Sequence, residues 1–129
     1  MEFDFLAPVS ADIIDYVGGL SSQNFGRKVV LHTEKEFPDL DQVRIAIVVV
    51  LENRGLTSAY EAVNVDFIRR QLYGLYPGNW FVSVADLGDL YEGNSTDDTY
   101  FALQQVVAGL VRRKIIPLVI GGSQDLTYA

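Results

Sequence analysis

The chain has 129 residues, enough for one domain or part of a larger one, and its 49% of apolar residues can form a core, which argues against disorder. The formal net charge of −7 argues against nucleic acid as a partner, because phosphate binding depends on clustered Lys and Arg. The lack of cysteine excludes a disulfide framework, a thiolate zinc site and a cysteine nucleophile.

The sequence contains no signal for a membrane or for secretion. No segment reaches the roughly 18 consecutive apolar residues that a membrane span needs. The first residues, Met1 to Phe5, are acidic and lack the basic start of a secretory signal. We therefore expect a soluble cytoplasmic protein with no membrane partner.

Residues 1–42 are predicted to form an irregular N-terminal extension. Within it, Ser10 is a candidate N-cap for a short helix, which Gly18 and Gly19 would end. A polar passage without clear periodicity then continues to Pro38. The regular part of the chain is expected to begin at Val43.

The region 43–129 begins with a strand, a helix and a second strand. Val43 to Leu51 is nearly all apolar and β-branched, as in a strand buried on both faces. Ser58 to Glu61 has the pattern of a capping box, followed by apolar residues at helical spacing. Gly74 and Pro77 end this helix. Trp80 to Ala85 is predicted to be the second strand.

A second helix and a third strand follow. Ser95 to Asp98 is another capping-box pattern, and the apolar stripe of this helix consists of Leu103, Val106, Val107 and Leu110. The cations of Arg112 to Lys114 fit the last helical turn, and Ile115 to Ile120 is the third strand. The order βαβαβ predicts parallel strands with right-handed crossovers.

Three parallel strands form a small sheet with two open edges, and open apolar edges favour pairing. We therefore expect this chain to be the N-terminal part of a larger α/β protein. We also expect association through the sheet edges, which predicts a homo-oligomer.

Polar and glycine residues follow each predicted strand, at the edge where open α/β sheets bind ligands. They are Glu52 to Gly55, Asp86 to Asp89 and Gly121 to Asp125. The candidates for the wall of a site are Asp86, Gly121, Gly122, Gln124 and Asp125. A simpler interpretation remains for some: Asp89 as a solvated residue, Gly121-Gly122 as a tight turn and Asp125 as a helix N-cap.

Other site types find little support. Neither a GxGxxG dinucleotide fingerprint nor a GK[ST] phosphate loop is present. Ser123 has no histidine near it in sequence, which argues against a serine triad. His32, the only histidine, lies in the N-terminal region, where a surface or hydrogen-bonded role is favoured over a ligand role.

Three segments in order resemble the ureohydrolases, the arginase, agmatinase and formimidoylglutamase family. Val43 to Gly55 resembles the family's first strand and loop, and Val84 to Asp89 resembles its second strand, which typically ends in Asp-x-Gly-Asp. Pro117 to Asp125 resembles a stretch that usually contains Gly-Gly-x-His. The resemblance covers about two-thirds of the chain, from residue 43 to the end.

The resemblance implies a three-layer α/β sandwich with a parallel sheet, and hydrolysis of a small guanidino or formimino substrate by a manganese-bound hydroxide. In this chain Gln124 occupies the position of a histidine ligand, and a neutral amide is a poorer manganese ligand. The family's later Asp-x-His-x-Asp and Asp-x-Asp motifs are absent from these residues. The resemblance therefore implies no catalytic residue and no metal in this chain alone, with manganese bound only by a longer parent.

Two alternatives remain at this point. The substitution at Gln124 fits a non-catalytic ureohydrolase-like protein with a binding or structural role. A free-standing flavodoxin-like or other small α/β binding module also fits the pattern, and it predicts a monomeric, cooperatively folded chain. The substrate-binding residues are not identifiable from the sequence.

Overall fold

The computed structural model describes residues 2–51, 64–80, 82–122, 126–127 and 129. Within them the chain is a mixed α/β protein with one five-stranded sheet and three α-helices. The strands are β1 (Leu6–Ala7), β2 (Val29–Leu31), β3 (Ile45–Leu51), β4 (Val84–Tyr91) and β5 (Ile116–Ile120). The helices are α1 (Ala11–Gly18), α2 (Val65–Tyr73) and α3 (Thr96–Arg112), and a short 3-10 helix covers Phe25–Lys28.

The three long strands run parallel, as predicted, and β3 lies between β4 and β5. The two short strands share the outer edge of β4. β2 pairs with β4 in parallel up to Leu31 opposite Asp86, and β1 pairs with it antiparallel, with Ala7 opposite Asp89. The order across the sheet is therefore β1 and β2, end to end along the outer edge of β4, then β4, β3 and β5.

The central strand β3 is buried on both faces, as its apolar, β-branched sequence predicts. Residues 46–50 are all at most 1% exposed. Alternate residues of β3 pack into two core clusters, one with the buried face of α3 and the other with Ile13 of α1 and Tyr73 of α2. Helices thus pack on both faces of the sheet, but the arrangement is not a clear three-layer arginase-like sandwich.

The N-terminal region is more regular than the sequence predicted. Ser10 caps α1 as expected, and its side chain accepts from the Ile13 amide. However, residues 1–42 also supply β1 and β2, so an irregular extension is not what the structure contains. Strands of two and three residues are too short for a periodic pattern, and their pairing with β4 is a tertiary effect.

The helix α3 follows its prediction closely. The capping box of Ser95 and Asp98 is formed in both directions, and Leu103, Val106 and Leu110 are buried. The helix ends at Arg112, so Arg113 is its C-cap and Lys114 lies beyond it with a φ of 60°. In α2 the described helix begins at Val65, with Asn64 as N-cap, and the predicted box at Ser58 to Glu61 lies outside the described residues.

The second long strand differs from its prediction. β4 begins at Val84 and continues through Asp86 to Tyr91, whereas Trp80 precedes it and packs against Phe25. A carboxylate inside an apolar strand normally indicates the strand's end, but here Asp86 is paired with a buried cation. The third predicted strand agrees with β5 to within one residue. None of the described helices is long and apolar enough to cross a membrane.

Candidate functional site

A β-bulge in β4 places two carboxylates on one face of the sheet. Ile47 of β3 lies opposite Asp86, and Val49 lies opposite Asp89, so two steps on β3 match three on β4. In a regular strand, residues three apart point to opposite faces. The extra residue in β4 restores the phase, and both aspartates therefore face α2.

Gly88 makes this bulge possible. Its φ is +96°, a conformation that favours glycine, and a Cβ atom there would lie 1.9 Å from the backbone oxygen of Ala7 in β1. The backbone amide of Gly88 donates to Oδ1 of Asp86 at 3.0 Å. The Asp-Leu-Gly-Asp sequence is thus the local cause of the bulge.

Arg69 of α2 holds both carboxylates. It is 1% exposed, and its Nε and Nη2 donate to the two oxygens of Asp86 at 2.8 and 2.9 Å. Its Nη1 donates to Asp89. This planar, bidentate geometry suits a guanidinium, which remains charged when buried.

Tyr73, one helical turn after Arg69, completes the group. Its hydroxyl donates to Oδ2 of Asp86, and its side chain is fully buried. Asp86 therefore accepts four hydrogen bonds, from Arg69 twice, from Tyr73 and from the Gly88 amide. We call Arg69, Tyr73, Asp86 and Asp89 the buried charge cluster.

The pKa shifts in the cluster follow from its burial and from the charges of its two carboxylates and one cation. Burial raises the pKa of Asp89, Arg69 opposes that effect, and the charges of Asp86 and Asp66 add to it. Burial by itself would lower the pKa of Arg69, but its bonds to the two carboxylates raise the pKa above the ordinary value. Burial and the charge of Asp86 raise the pKa of Tyr73.

The raised pKa of Tyr73 predicts a loss of stability in alkaline solution. Above about pH 10 the unfolded chain releases the tyrosine proton while the folded chain retains it, so the free energy of unfolding falls as pH rises. One such group contributes a slope of up to about 1.4 kcal/mol per pH unit. Denaturant titrations between neutral pH and about pH 11 would measure it.

Tyr73→Phe is expected to remove most of this slope, whereas Tyr76→Phe is the matched control. Tyr76 is 69% exposed and does not belong to the buried charge cluster, so its replacement removes one tyrosine hydroxyl without disturbing the cluster. Equal alkaline slopes in the wild type and in Tyr73→Phe would show that the hydroxyl of Tyr73 ionises as freely in the folded chain as in the unfolded one.

The Gly121-Gly122 turn lies at the carboxyl end of β5. Both residues have positive φ, and a Cβ atom on Gly121 would lie 2.9 Å from the backbone oxygen of Val50 in β3. The turn borders a cavity of about 420 Å³ between β5 and α3, lined by Leu103 and Val107 among others. Within the described part of the chain, no charged side chain lines this cavity.

The structure therefore separates the predicted site residues. Gly121 and Gly122 lie at the carboxyl edge of the sheet, as expected, whereas Asp86 lies inside β4, in the buried charge cluster. Asp89 was interpreted as solvated, and this is corrected, because Arg69 binds it in the interior. Gln124 and Asp125 are outside the described residues.

Sequence reasoning missed Arg69 and Tyr73 as partners of Asp86. A signal was available: Arg69 lies at an apolar position of the α2 pattern, four residues before Tyr73, and Asp86 lies within an apolar run. Opposite charges at two apolar positions are typical of a buried ion pair, because neither charge is stable alone in a core. The distance along the chain, 17 residues, gave no direct indication of contact.

His32 has the hydrogen-bonded role that the sequence favoured. It follows β2, and its ring Nδ1 lies 2.8 Å from the backbone oxygen of Leu87. It does not approach the Gly121-Gly122 turn, since it lies on the opposite side of β4 from β3 and β5. A triad with Ser123 stays without support, because Ser123 is outside the described residues.

Among the residues that the structure describes, no group of three His, Cys, Asp or Glu side chains has the arrangement of a metal site. The chain was also compared with known proteins. No protein-family model, no curated protein and no solved structure matches it. The ureohydrolase resemblance therefore depends on the three sequence motifs alone.

Proposed function

We propose that this chain is the N-terminal part of a ureohydrolase-like protein, whose parent hydrolyses a C–N bond of a small guanidino or formimino substrate. One observation carries the proposal: the Gly121-Gly122 turn follows a parallel strand and lies against the end of β3, at the edge where such sheets bind ligands. The positive φ of both glycines supports the proposal, because a tight turn of this kind favours glycine.

The second motif, Asp-Leu-Gly-Asp at residues 86–89, supports the proposal through its role in the structure of the sheet. Asp86 and Asp89 build the bulge and the buried charge cluster, which fix β4 against α2. Helices on both faces of the sheet are compatible with the three-layer arrangement of arginases, which stays part of the proposal. In this view the Asp-Leu-Gly-Asp motif shapes the sheet and takes no part in the chemistry.

The described residues do not provide a ligand set for a manganese pair. We propose that the parent supplies its metal ligands from residues after 129 and that this chain alone is inactive. We further propose a cytoplasmic location and a homo-oligomer. Association through β5 is consistent with the exposed apolar side chains of Ile116 and Leu118, which are 63% and 45% exposed.

The test is hydrolysis of agmatine, arginine and formiminoglutamate by the 129-residue chain and by the longest protein that the same gene encodes, with manganese added. We expect turnover only in the longer protein. A longer protein without Asp-x-His-x-Asp and Asp-x-Asp motifs, or a 129-residue protein that hydrolyses these substrates, would contradict the proposal.

A non-catalytic parent is the second candidate, and Gln124 favours it. An amide in place of an imidazole weakens one metal position. Metal analysis of the longer protein separates the two candidates, since two manganese ions per chain with turnover support the enzyme. Fewer than one ion per chain and no turnover support a binding or structural role. Gln124→His would then be expected to raise the manganese content.

A further inference from the structure

A second cavity, far from the Gly121-Gly122 turn, lies beside the outer edge of β4. It has a volume of about 560 Å³ and is lined by Phe3, Asp4, Leu6, His32 and Phe37. It lies at the junction of β2 and β1, where His32 follows one short strand and Leu6 begins the other. We call it the His32 cavity.

The backbone of His32 is fixed on both sides. Its amide donates to the backbone oxygen of Asp86 at 2.9 Å, and its carbonyl accepts from the Val9 amide at 2.9 Å. His32 thus continues the pairing of β2 with β4 at the bulge. Since Asp86 is completely buried, the backbone of His32 is hydrogen-bonded to a strand residue in the interior of the protein.

The hydrogen bond to Leu87 defines the tautomer of the neutral ring. A carbonyl oxygen only accepts, so Nδ1 of His32, at 2.8 Å, carries the proton. Nε2, the other ring nitrogen, is then an acceptor. Within the described part of the chain, no hydrogen bond to Nε2 is formed, and the ring lines the cavity.

The walls of the His32 cavity are flat and aromatic. Phe37 packs edge-to-face on His32 with ring centroids 4.9 Å apart, and Phe3 stacks on Phe37 at 5.6 Å. Phe3 is also held by the guanidinium of Arg113, 5.0 Å from its ring centroid. Asp4 and Leu6 complete the described lining of the cavity.

We propose that the His32 cavity binds a small planar aromatic molecule that carries an N–H or O–H donor. The ligand ring packs against the aromatic side chains that line the cavity, and its donor binds Nε2 of His32. Nothing in this site depends on the ureohydrolase proposal, because the two regions share no lining residue.

Two isomers test the proposal: 3-methylindole retains the ring N–H, whereas 1-methylindole has lost it. Each is titrated into the ¹⁵N-labelled chain and followed by NMR. We expect shifts confined to the His32 cavity, a Kd on the order of 1 mM for 3-methylindole, and about fivefold weaker binding of 1-methylindole. Equal affinities, shifts elsewhere or no binding would overturn the proposal.

His32→Asn is the matched variant. The asparagine amide can still donate to the Leu87 oxygen from the δ position, but the acceptor at Nε2 is gone. We expect the variant to bind both isomers equally, and a retained preference for 3-methylindole would overturn the role of Nε2. If the variant does not fold, the comparison of the two isomers on the wild-type chain still decides the outcome.

Discussion

Replacing Arg69 by methionine is expected to destabilise the protein by about 3–5 kcal/mol, because it leaves two buried carboxylates without their cation. Asp86 is completely buried, and it would keep only the hydrogen bonds from Tyr73 and the Gly88 amide. The size of the loss reflects the broken cluster and not the net value of the ion pair. Many domains of this size have little more stability than that, so unfolding is within the expected range.

Denaturant unfolding of Arg69→Met beside Arg70→Met gives the measurement and its control. Arg70 is the next residue of the same helix and is exposed, with its guanidinium 5.8 Å from the ring centroid of Tyr16. Its replacement is expected to cost at most about 1 kcal/mol. Similar losses of unfolding free energy in the two variants would show that the buried charge cluster contributes no more to stability than the exposed Arg70 does.

The pH dependence of Arg69→Met gives a second readout. Without the guanidinium, the interaction that opposes the raised pKa of Asp89 is lost and burial raises that pKa further, so the folded chain binds protons more strongly than the unfolded chain. The free energy of unfolding of the variant, relative to wild type, should therefore increase as pH falls from neutral toward about pH 4. A variant whose deficit does not change over this range would contradict the assignment of the loss to unpaired carboxylates.

The second large effect is expected for Gly88→Ala, which should lower the free energy of unfolding by about 2–5 kcal/mol. Two costs combine: the backbone has a φ of +96°, and the new Cβ would lie 1.9 Å from the Ala7 oxygen. Relief of the clash requires β1 to move from β4 or the bulge to be lost. Loss of the bulge would turn Asp86 and Asp89 toward opposite faces and so separate Asp89 from Arg69.

Gly78→Ala separates these two costs. Gly78 also has a positive φ, +66°, but no described atom lies within 4 Å of the position that a Cβ atom would take there. Its replacement is expected to cost about 1–2 kcal/mol from the backbone alone. Hydrogen exchange in β1 and β4 completes the test, since only Gly88→Ala should expose the amides around the bulge. Equal losses in both variants would show that the contact with Ala7 is easily relieved.

Much of the fold followed from the sequence, because the signals were local. The unbroken apolar run of β3, the apolar stripe of α3 and the capping box at Ser95 are each read from neighbouring residues, and the structure confirms them. The parallel arrangement of β3, β4 and β5 followed from the alternation of strands and helices. The Gly121-Gly122 turn was found at the predicted end of β5 for the same local reason.

What the sequence by itself determined is thus the set of long strands and helices, since an unbroken apolar run and an apolar stripe of period 3.6 are properties of the local chain. Tertiary structure alone decided the rest. β1 and β2 are strands only because β4 offers them an edge, and Asp86 continues β4 only because Arg69 neutralises it. Both depend on partners distant in sequence, and the free energy of a buried charge is set by those partners and not by its neighbours in the chain.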